Sequence, residues 1–305
     1  MSDILHDNLL LPSPLQPIKL ADNLSVLVKR DDLIHPVISG NKWRKLKYNL
    51  DYILSNGLDH VITFGGPFSN HIHALAGACQ LLRIRCTAII RGEIDLHNPT
   101  LRFCRHAGME LISVSRSAYR LKEEDPGIKE ILKSYHPACI IPEGGANELA
   151  MRGVAEITDE LEDTLGDAPD YIVLSAGTGC TAAGLLLSDT LKSKVIVIPA
   201  LKSNHLYSEI LSMSKHKNKD LLFVNTDYHF GGYAKWNENL VKFITEFESS
   251  TAIPLDQVYN GKAMYGLCDL ISRKYFEDGA RIVYLHTGGL QGKAGMEYRN
   301  TKINS

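Results

Sequence analysis

A glycine-rich turn separates an apolar run from a run of small residues in the stretch Tyr171-Ile172-Val173-Leu174-Ser175-Ala176-Gly177-Thr178-Gly179-Cys180-Thr181-Ala182-Ala183-Gly184-Leu185. The apolar residues predict a strand over 171–174, and the small residues predict a helix over 180–191. Backbone N–H groups at such a helix start, the helix dipole and the hydroxyls of Thr178 and Thr181 form a cradle for an anion. The sequence therefore predicts a phosphate-binding loop here.

The same turn loosely satisfies the dinucleotide-binding pattern GxGxxG/A, as Gly177-x-Gly179-x-x-Ala182. That pattern requires an acidic residue about 20 residues later to hold a ribose. The next predicted strand instead ends in Pro199-Ala200-Leu201-Lys202, and no Gly-Lys-Ser/Thr of a P-loop follows the turn. A small phosphorylated cofactor is therefore favoured over a nicotinamide dinucleotide, which stays open as an alternative.

Outward from this stretch, short β-branched runs alternate with longer amphipathic segments, which is typical of open, mostly parallel sheets with helices on both faces. The predicted strands are Ser25–Lys29, His60–Phe64, Cys86–Arg91, Glu110–Val114, Ala138–Ile141, Tyr171–Leu174, Lys194–Pro199, Leu221–Asn225 and Arg281–His286. The predicted helices are Lys42–Leu54, Asn70–Leu82, Thr100–Ala107, Glu148–Leu165, Cys180–Leu191, Asn237–Ser249 and Lys262–Phe276. The polar stretch Lys202–Asp220 is expected to be a mobile surface insertion.

Four predicted strands end in glycine-rich loops, at 64–71, 142–147, 175–181 and 286–289. Open α/β sheets bind ligands at the carboxyl ends of their strands. We therefore expect one site built from several of these loops, although each Gly-Gly pair on its own could equally serve a tight turn.

Composition limits the classes of function. The 305 residues contain 33 Lys+Arg and 35 Asp+Glu, a net charge of -2, so there is no basic excess for nucleic acid. No stretch approaches the roughly 18 apolar residues of a membrane helix, and the first residues lack a secretory pattern, so a cytoplasmic location is expected. The six cysteines form no CxxC pair and the histidines no HExxH motif, which predicts reduced core thiols and no metal site.

A cationic segment, Ser39-Gly40-Asn41-Lys42-Trp43-Arg44-Lys45-Leu46-Lys47, precedes the first predicted helix. Such clusters are usually solvated, and this is the interpretation for Arg44, Lys45 and Lys47. Lys42 directly follows the Gly40-Asn41 turn, where its amine could reach a cleft and attack a carbonyl cofactor.

Several motifs together resemble the 1-aminocyclopropane-1-carboxylate deaminase/D-cysteine desulfhydrase family over nearly the whole chain. They are Asp31-Asp32, Ser39-Gly40-Asn41-Lys42-x-Arg44-Lys45-Leu46, Gly65-Gly66-x-x-Ser69-Asn70-His71, Pro142-Glu143-Gly144-Gly145, Ala176-Gly177-Thr178-Gly179-x-Thr181, Gly232-Tyr233, Val258-Tyr259-x-Gly261-Lys262-Ala263-Met264 and His286-Thr287-Gly288-Gly289. The resemblance implies pyridoxal 5'-phosphate in a two-domain, tryptophan-synthase-β-like fold and a homodimer. Residues 1–49 and 150–305 would form the large cofactor-binding domain and residues 50–149 the small one.

The resemblance also implies roles for individual residues. Lys42 corresponds to the Schiff-base lysine and general base, Asn70 to the partner of the cofactor's ring hydroxyl, and Ser69 to a residue near the substrate carboxylate. Tyr233 and Tyr259 correspond to tyrosines that face the substrate. The implied phosphate loop is Gly177, Thr178, Gly179, Cys180 and Thr181, the implied ring-nitrogen wall is Asn260 and Thr287, and the implied substrate pocket is Phe68, Ser69, Asn70 and His71.

Four positions depart from the family pattern. The cyclopropane-opening branch has Glu and Leu where this chain has Asn260 and Thr287, and a neutral wall keeps the pyridine nitrogen less protonated, which weakens the electron sink. Phe68 replaces a Gln, and Cys180 replaces a glycine. We therefore expect β-elimination from a small amino acid, with D-cysteine as the best candidate. Cyclopropane deamination, deamination of another small amino acid and a catalytically silent amino-acid-binding relative stay as alternatives.

Overall fold

The computed structural model describes residues 8–303 of the chain and contains two sheets. The larger sheet has the order β1-β2-β10-β7-β8-β9, and the smaller has the order β5-β4-β3-β6. The strands are β1 Leu15–Ile18, β2 Ser25–Lys29, β3 His60–Gly65, β4 Arg85–Arg91, β5 Glu110–Val114, β6 Cys139–Ile141, β7 Tyr171–Ala176, β8 Lys194–Pro199, β9 Leu222–Val224 and β10 Arg281–Leu285. Every neighbouring pair is parallel except β1 with β2.

Helices connect the strands and cover the sheets. They are α1 Asn41–Ser55, α2 Asn70–Leu82, α3 Pro99–His106, α4 Arg116–Leu121, α5 Pro126–Ser134, α6 Glu148–Leu165, α7 Cys180–Leu187, α8 Leu206–Met213, α9 Glu238–Thr251, α10 Asn260–Ser272 and α11 Gly292–Ile303. Within residues 8–303, none of these helices combines the length and the apolar character that crossing a bilayer requires.

Alternate residues of each central strand enter different cores, which shows that helices cover both faces of the sheet. In β7, Ile172 and Leu174 pack with α6, α7 and α8, whereas Val173 packs with α9 and α10. In the smaller sheet, Val61 faces α1, α2 and α3, and Ile62 faces α4 and α5. The predicted fold class, open and mostly parallel sheets with helices on both faces, is confirmed.

All nine predicted strands and all seven predicted helices form. Strand β1 was not predicted, because it is a short antiparallel edge strand that contains Pro17. Helices α4, α5 and α11 were also missed, although Ser115 and Asp125 cap α4 and α5 in the ordinary way. The predicted division into two domains stays a prediction, since α1 contacts both the core of the smaller sheet and α6.

The segment 202–220 is not the surface insertion that the sequence predicted. It contains α8, whose Leu206, Ile210 and Leu211 are buried in the core beside α7. A side chain at Gly179, where φ is +79°, would lie 2.6 Å from Cγ1 of Ile210. Helix α8 therefore packs directly over the glycine turn that opens α7.

The prediction that Arg44 and Lys45 are exposed to solvent is wrong, because both side chains are buried. Arg44 donates to both oxygens of Asp31, at 3.2 and 2.9 Å, and to the Glu160 carboxylate of α6. Lys29 lies 2.8 Å from an oxygen of the same Glu160. These buried charges pair because an isolated charge in the core would be costly, and the pairs join β2, α1 and α6. Lys47 is half-buried and pairs with Glu156.

We expect Arg44→Met to lower the free energy of unfolding by about 3–5 kcal/mol, because it leaves the Asp31 carboxylate buried without its partner. The matched change Lys47→Met, one turn further along α1, should cost about 1 kcal/mol or less, since that pair is partly exposed to solvent. Urea denaturation of both variants measures the difference. Equal losses would show that the buried pairs do not hold α1 in place.

Candidate active site

The four glycine-rich loops meet around one cavity of about 340 Å³, as the sequence predicted for a single site. Each loop follows a strand of one of the two sheets, so the cavity lies at the carboxyl ends of both. The predicted site residues that line it are Lys42, Phe68, Ser69, Asn70, His71, Gly177, Thr178, Gly179, Cys180, Thr181, Tyr233, Tyr259 and Thr287. Asn260 is the one predicted site residue that does not line it.

Lys42 stands in the first turn of α1, and its amine donates to Asn41 Oδ1 at 2.9 Å. The backbone before it has no room for a side chain: a Cβ at Gly40 would lie 2.1 Å from the Thr287 carbonyl oxygen. Asn41 N–H donates to that same oxygen at 3.2 Å. Main-chain contact with the loop after β10 therefore fixes where the lysine enters the cavity.

The Lys42 amine is a weaker base than an ordinary lysine. Burial lowers its pKa well below the usual value, and the neighbouring ammonium of Lys45 lowers it further. Lys45 also lines the cavity, one turn after Lys42, and makes no ion pair within residues 8–303. A neutral amine is the form that attacks a carbonyl, so this environment favours a nucleophile.

Residues 177–181 are the predicted anion cradle. Residues 178–181 line the cavity, and their backbone N–H groups donate to no acceptor within the described part of the chain, as expected for a first helical turn. The Thr181 hydroxyl accepts from Asn41 Nδ2 at 3.0 Å. Asn41 therefore links the lysine amine to the cradle through its two amide atoms.

Ser69 and Asn70 lie at the start of α2, where the Ser69 hydroxyl caps the helix by accepting from Ile72 N–H. Asn70 Oδ1 accepts from the side chain of Gln291, and Gln291 in turn accepts from Thr100. Gln291 lies in the loop before α11, and the sequence analysis did not identify this residue as part of the site. It holds the Asn70 amide from outside the cavity.

His71 is neutral, and its tautomer follows from its partner. Thr63 Oγ1 donates its one hydrogen to the Ile141 carbonyl oxygen and must therefore accept from His71 Nε2, 2.8 Å away. His71 Nδ1 is then a bare acceptor, and it has no partner in the structure. Burial, with the charges of Lys42 and Lys45, lowers the pKa of His71 to about 3.

Tyr233 and Tyr259 form another wall of the cavity, and their ring centres lie 6.2 Å apart. Tyr259 packs against Gly177, because a Cβ at Gly177 would lie 3.2 Å from the tyrosine ring. Burial and the neighbouring Tyr233 raise the pKa of Tyr259 well above the usual value. Tyr233 is 44% exposed. Its loop is held from below by Lys262, whose amine donates to the carbonyl oxygens of Ala200, His229 and Gly232.

Asn260 lies behind Thr287. Its amide oxygen accepts from the N–H and hydroxyl of Thr287, and its amide nitrogen donates to Gly288 O and to Asp256. The Asp256 carboxylate also accepts the N–H groups of residues 258–260. The cavity wall here is therefore the Thr287 hydroxyl, with the nearby carboxylate turned away from it.

The family model of pyridoxal-phosphate dependent enzymes matches residues 8–288. The chain belongs to this family. A Pyrococcus abyssi protein provisionally named a 1-aminocyclopropane-1-carboxylate deaminase is 34% identical, over 88% of this chain and 86% of its own length. The mitochondrial bifunctional D-cysteine desulfhydrase/1-aminocyclopropane-1-carboxylate deaminase of Arabidopsis thaliana is 31% identical, over 90% and 74%.

The crystal structure of an ACC deaminase homologue aligns with a TM-score of 0.82 and 27% identity, over 100% of this chain and 99% of that one. The resemblance to the 1-aminocyclopropane-1-carboxylate deaminase/D-cysteine desulfhydrase family is thus confirmed, and with it the cofactor of this pyridoxal-phosphate dependent enzyme.

The residues present fit pyridoxal phosphate. The cofactor needs an amine for its aldehyde and donors for its phosphate. Lys42 supplies the first, and the free N–H groups of 178–181 supply the second in the same cavity. Lys45 adds a positive charge that suits a phosphorylated ligand.

We expect Lys45→Met to move the pH dependence of the Lys42 amine to higher pH, because removing a neighbouring ammonium lets the pKa of Lys42 rise. The measurement is the rate at which pyridoxal, which carries no phosphate, is trapped on Lys42 by borohydride, followed by peptide mass spectrometry across pH. Lys47→Met is the control and should leave the profile in place. An unmoved profile for Lys45→Met would contradict this account.

Proposed function

We propose that this pyridoxal-phosphate dependent enzyme releases ammonia from a small amino acid by β-elimination, with D-cysteine as the leading substrate. The observation that carries the proposal is the placement of a weakly basic lysine amine and an unsatisfied anion cradle in one cavity. The names of the relatives from Pyrococcus abyssi and Arabidopsis thaliana support deamination of a small amino acid.

Pyridoxal phosphate, when bound, supplies the electron sink that stabilises a negative charge at the substrate's α-carbon. The chain's own residues then have separate tasks. Lys42 Nζ, whose pKa is lowered by burial, accepts the α-proton while Asn41 Oδ1 orients it. The N–H groups of 178–181 would hold the phosphate, Asn70 would bind the ring hydroxyl, and Ser69 would bind the substrate carboxylate.

Tyr259 has the protonation state needed to assist a leaving group. Its raised pKa keeps the phenol protonated, so it can donate to the sulfur that departs from the β-carbon. Loss of sulfide leaves an unsaturated amine, which water converts to pyruvate and ammonia. Tyr233, at the exposed edge of the cavity, faces the substrate from the solvent side.

The neutral wall at Thr287 favours elimination over cyclopropane opening. Within residues 8–303, no carboxylate lines the cavity beside Thr287, because Asp256 is occupied by backbone N–H groups and by Asn260. The electron sink is therefore shallower, and a substrate with a good leaving group at its β-carbon suits it better. Asn260 acts through Thr287 as a positioning residue.

Homodimer assembly and a cytoplasmic location belong to the same proposal. The family resemblance supports a homodimer, and the six cysteines are all unpaired thiols, which suits a reducing compartment.

A visible absorption spectrum and a substrate panel test this function. Purified protein with pyridoxal phosphate should absorb in the visible and form pyruvate and sulfide from D-cysteine, whereas Lys42→Ala should lose both the band and the turnover. Lys47→Ala, on the same helix but outside the cavity, should keep both. A coloured protein that releases no 2-oxo acid from D-cysteine, L-cysteine, D-serine or β-chloro-D-alanine would exclude the elimination, and a protein that never takes up the cofactor would exclude the assignment of the site.

1-Aminocyclopropane-1-carboxylate deamination is the second candidate, favoured by the names of the relatives. Replacing Asn260 by Glu and Thr287 by Leu should raise the ratio of kcat/KM for this substrate to that for D-cysteine by about tenfold, since a carboxylate returns to the ring-nitrogen wall. Thr287→Leu alone adds no carboxylate and is the control. An unchanged ratio in the double variant would show that this wall does not select the reaction.

A further inference from the structure

A second, wider cavity opens from the active site toward solvent, and we refer to it as the outer chamber. It shares Pro67, Phe68, Arg91, Glu143 and Tyr233 with the inner cavity, so the two are continuous. A substrate whose side chain extends beyond the inner cavity would enter this chamber. The residues at the junction would contact the far end of such a substrate.

The outer chamber carries an excess of positive charge, although the whole chain has a net charge of -2. Its charged lining consists of Arg91, Arg116, Arg120, Lys122 and Arg299 against Glu93, Asp95 and Glu143. The inner cavity continues the trend, because Lys42, Lys45 and Arg91 face it while Glu143 is the one carboxylate lining it in the described part of the chain. Glu143 is already paired with Lys122. The junction thus carries positive charge that the nearby carboxylates do not neutralise.

Arg91 is the cation at the junction that no carboxylate neutralises. It ends β4, and within residues 8–303 it forms no ion pair. One guanidinium nitrogen, Nη2, lies 3.5 Å from the position that a Cβ of Gly66 would take, beside the loop that carries Ser69 and Asn70. Its Cζ lies 5.7 Å from the centre of the Tyr119 ring, and Lys122 Nζ lies 4.4 Å from the same centre. Arg91 and Lys122 therefore both lie near the Tyr119 ring, but only Lys122 is paired with a carboxylate, that of Glu143.

Phe68 makes the remaining wall of the junction apolar. It lines both cavities and packs with Ala234, Val258 and Met296. A phenyl ring offers no hydrogen bond to a substrate side chain, so the guanidinium of Arg91 is the strong polar partner available there.

We propose that Arg91 binds an anionic group at the far end of the substrate's side chain, so that the enzyme prefers amino acids carrying a side-chain carboxylate, sulfonate or phosphate over neutral ones of the same size. This rests on the proposed elimination and names the side-chain class of substrates that are larger than D-cysteine and extend into the outer chamber. A planar guanidinium binds such oxyanions through two parallel hydrogen bonds. The exposed rim cations of the chamber raise the local concentration of the anion before it binds.

Aspartate and asparagine provide a matched pair of probes, because they have the same shape and differ in charge. We expect aspartate of one enantiomer to bind the cofactor-loaded enzyme about tenfold more tightly than the same enantiomer of asparagine, the size of one charge-assisted hydrogen-bond pair. Isothermal titration calorimetry on both enantiomers measures the ratio without turnover. The preference should weaken as salt concentration rises.

Arg91→Gln should bring the ratio close to one, and Arg91→Lys should retain part of it. Arg85→Gln is the matched control, since Arg85 begins the same strand, is also exposed and pairs with Asp59 away from both cavities. A ratio that is unchanged in Arg91→Gln, absent from the wild type, or accompanied by no binding of either probe would overturn the proposal. Because the release of pyruvate from D-cysteine is measured separately, failure of the Arg91 assignment and failure of the elimination are distinguishable.

Discussion

The position of the reactive lysine depends on a buried guanidinium. Arg44, only two residues from Lys42, is held by Asp31 before α1 and by Glu160 of α6, and Lys29 of β2 shares the second carboxylate. Charges removed from water are stable only when each has its partner, so these elements must come together in one arrangement. The helix that presents the amine is thereby fixed to the larger sheet, while its apolar face packs on the smaller one. This set of ion pairs therefore helps to fix the geometry of the cavity between the two sheets.

Electrostatics then gives the cavity its chemistry. Burial, together with neighbouring cations, weakens the base strength of Lys42 and keeps His71 neutral, and the excess of cations over carboxylates attracts negatively charged ligands. Burial also raises the pKa of Tyr259 and keeps it a phenol. The nucleophile, the acid and the anion cradle thus share one environment.

Much of this could be predicted because parallel strands bring their carboxyl ends to one edge. The glycine-rich ends at 64–71, 175–181 and 286–289 were expected to converge, and they do. The burial of Arg44 could not be predicted, since Glu160 is distant in sequence and a cationic run is usually solvated. Helix α8 was missed because its short apolar stripe is flanked by polar residues, and Gln291 because a lone amide in a loop has no pattern to detect. The sequence identified Asn260 as a site residue, but Asn260 does not line the cavity and instead hydrogen-bonds to Thr287, which does.

The contact between Gly40 and Thr287 involves only main-chain atoms. The space that a Cβ at Gly40 would need is filled by the Thr287 carbonyl oxygen, and Asn41 donates its N–H to that oxygen. The scaffold that aims the lysine is therefore insensitive to which side chain position 287 carries. A lineage could exchange that side chain, and with it the polarity next to the reacting atoms, without disturbing the amine. Such a separation between what supports a site and what tunes it lets one architecture acquire new substrates through single substitutions.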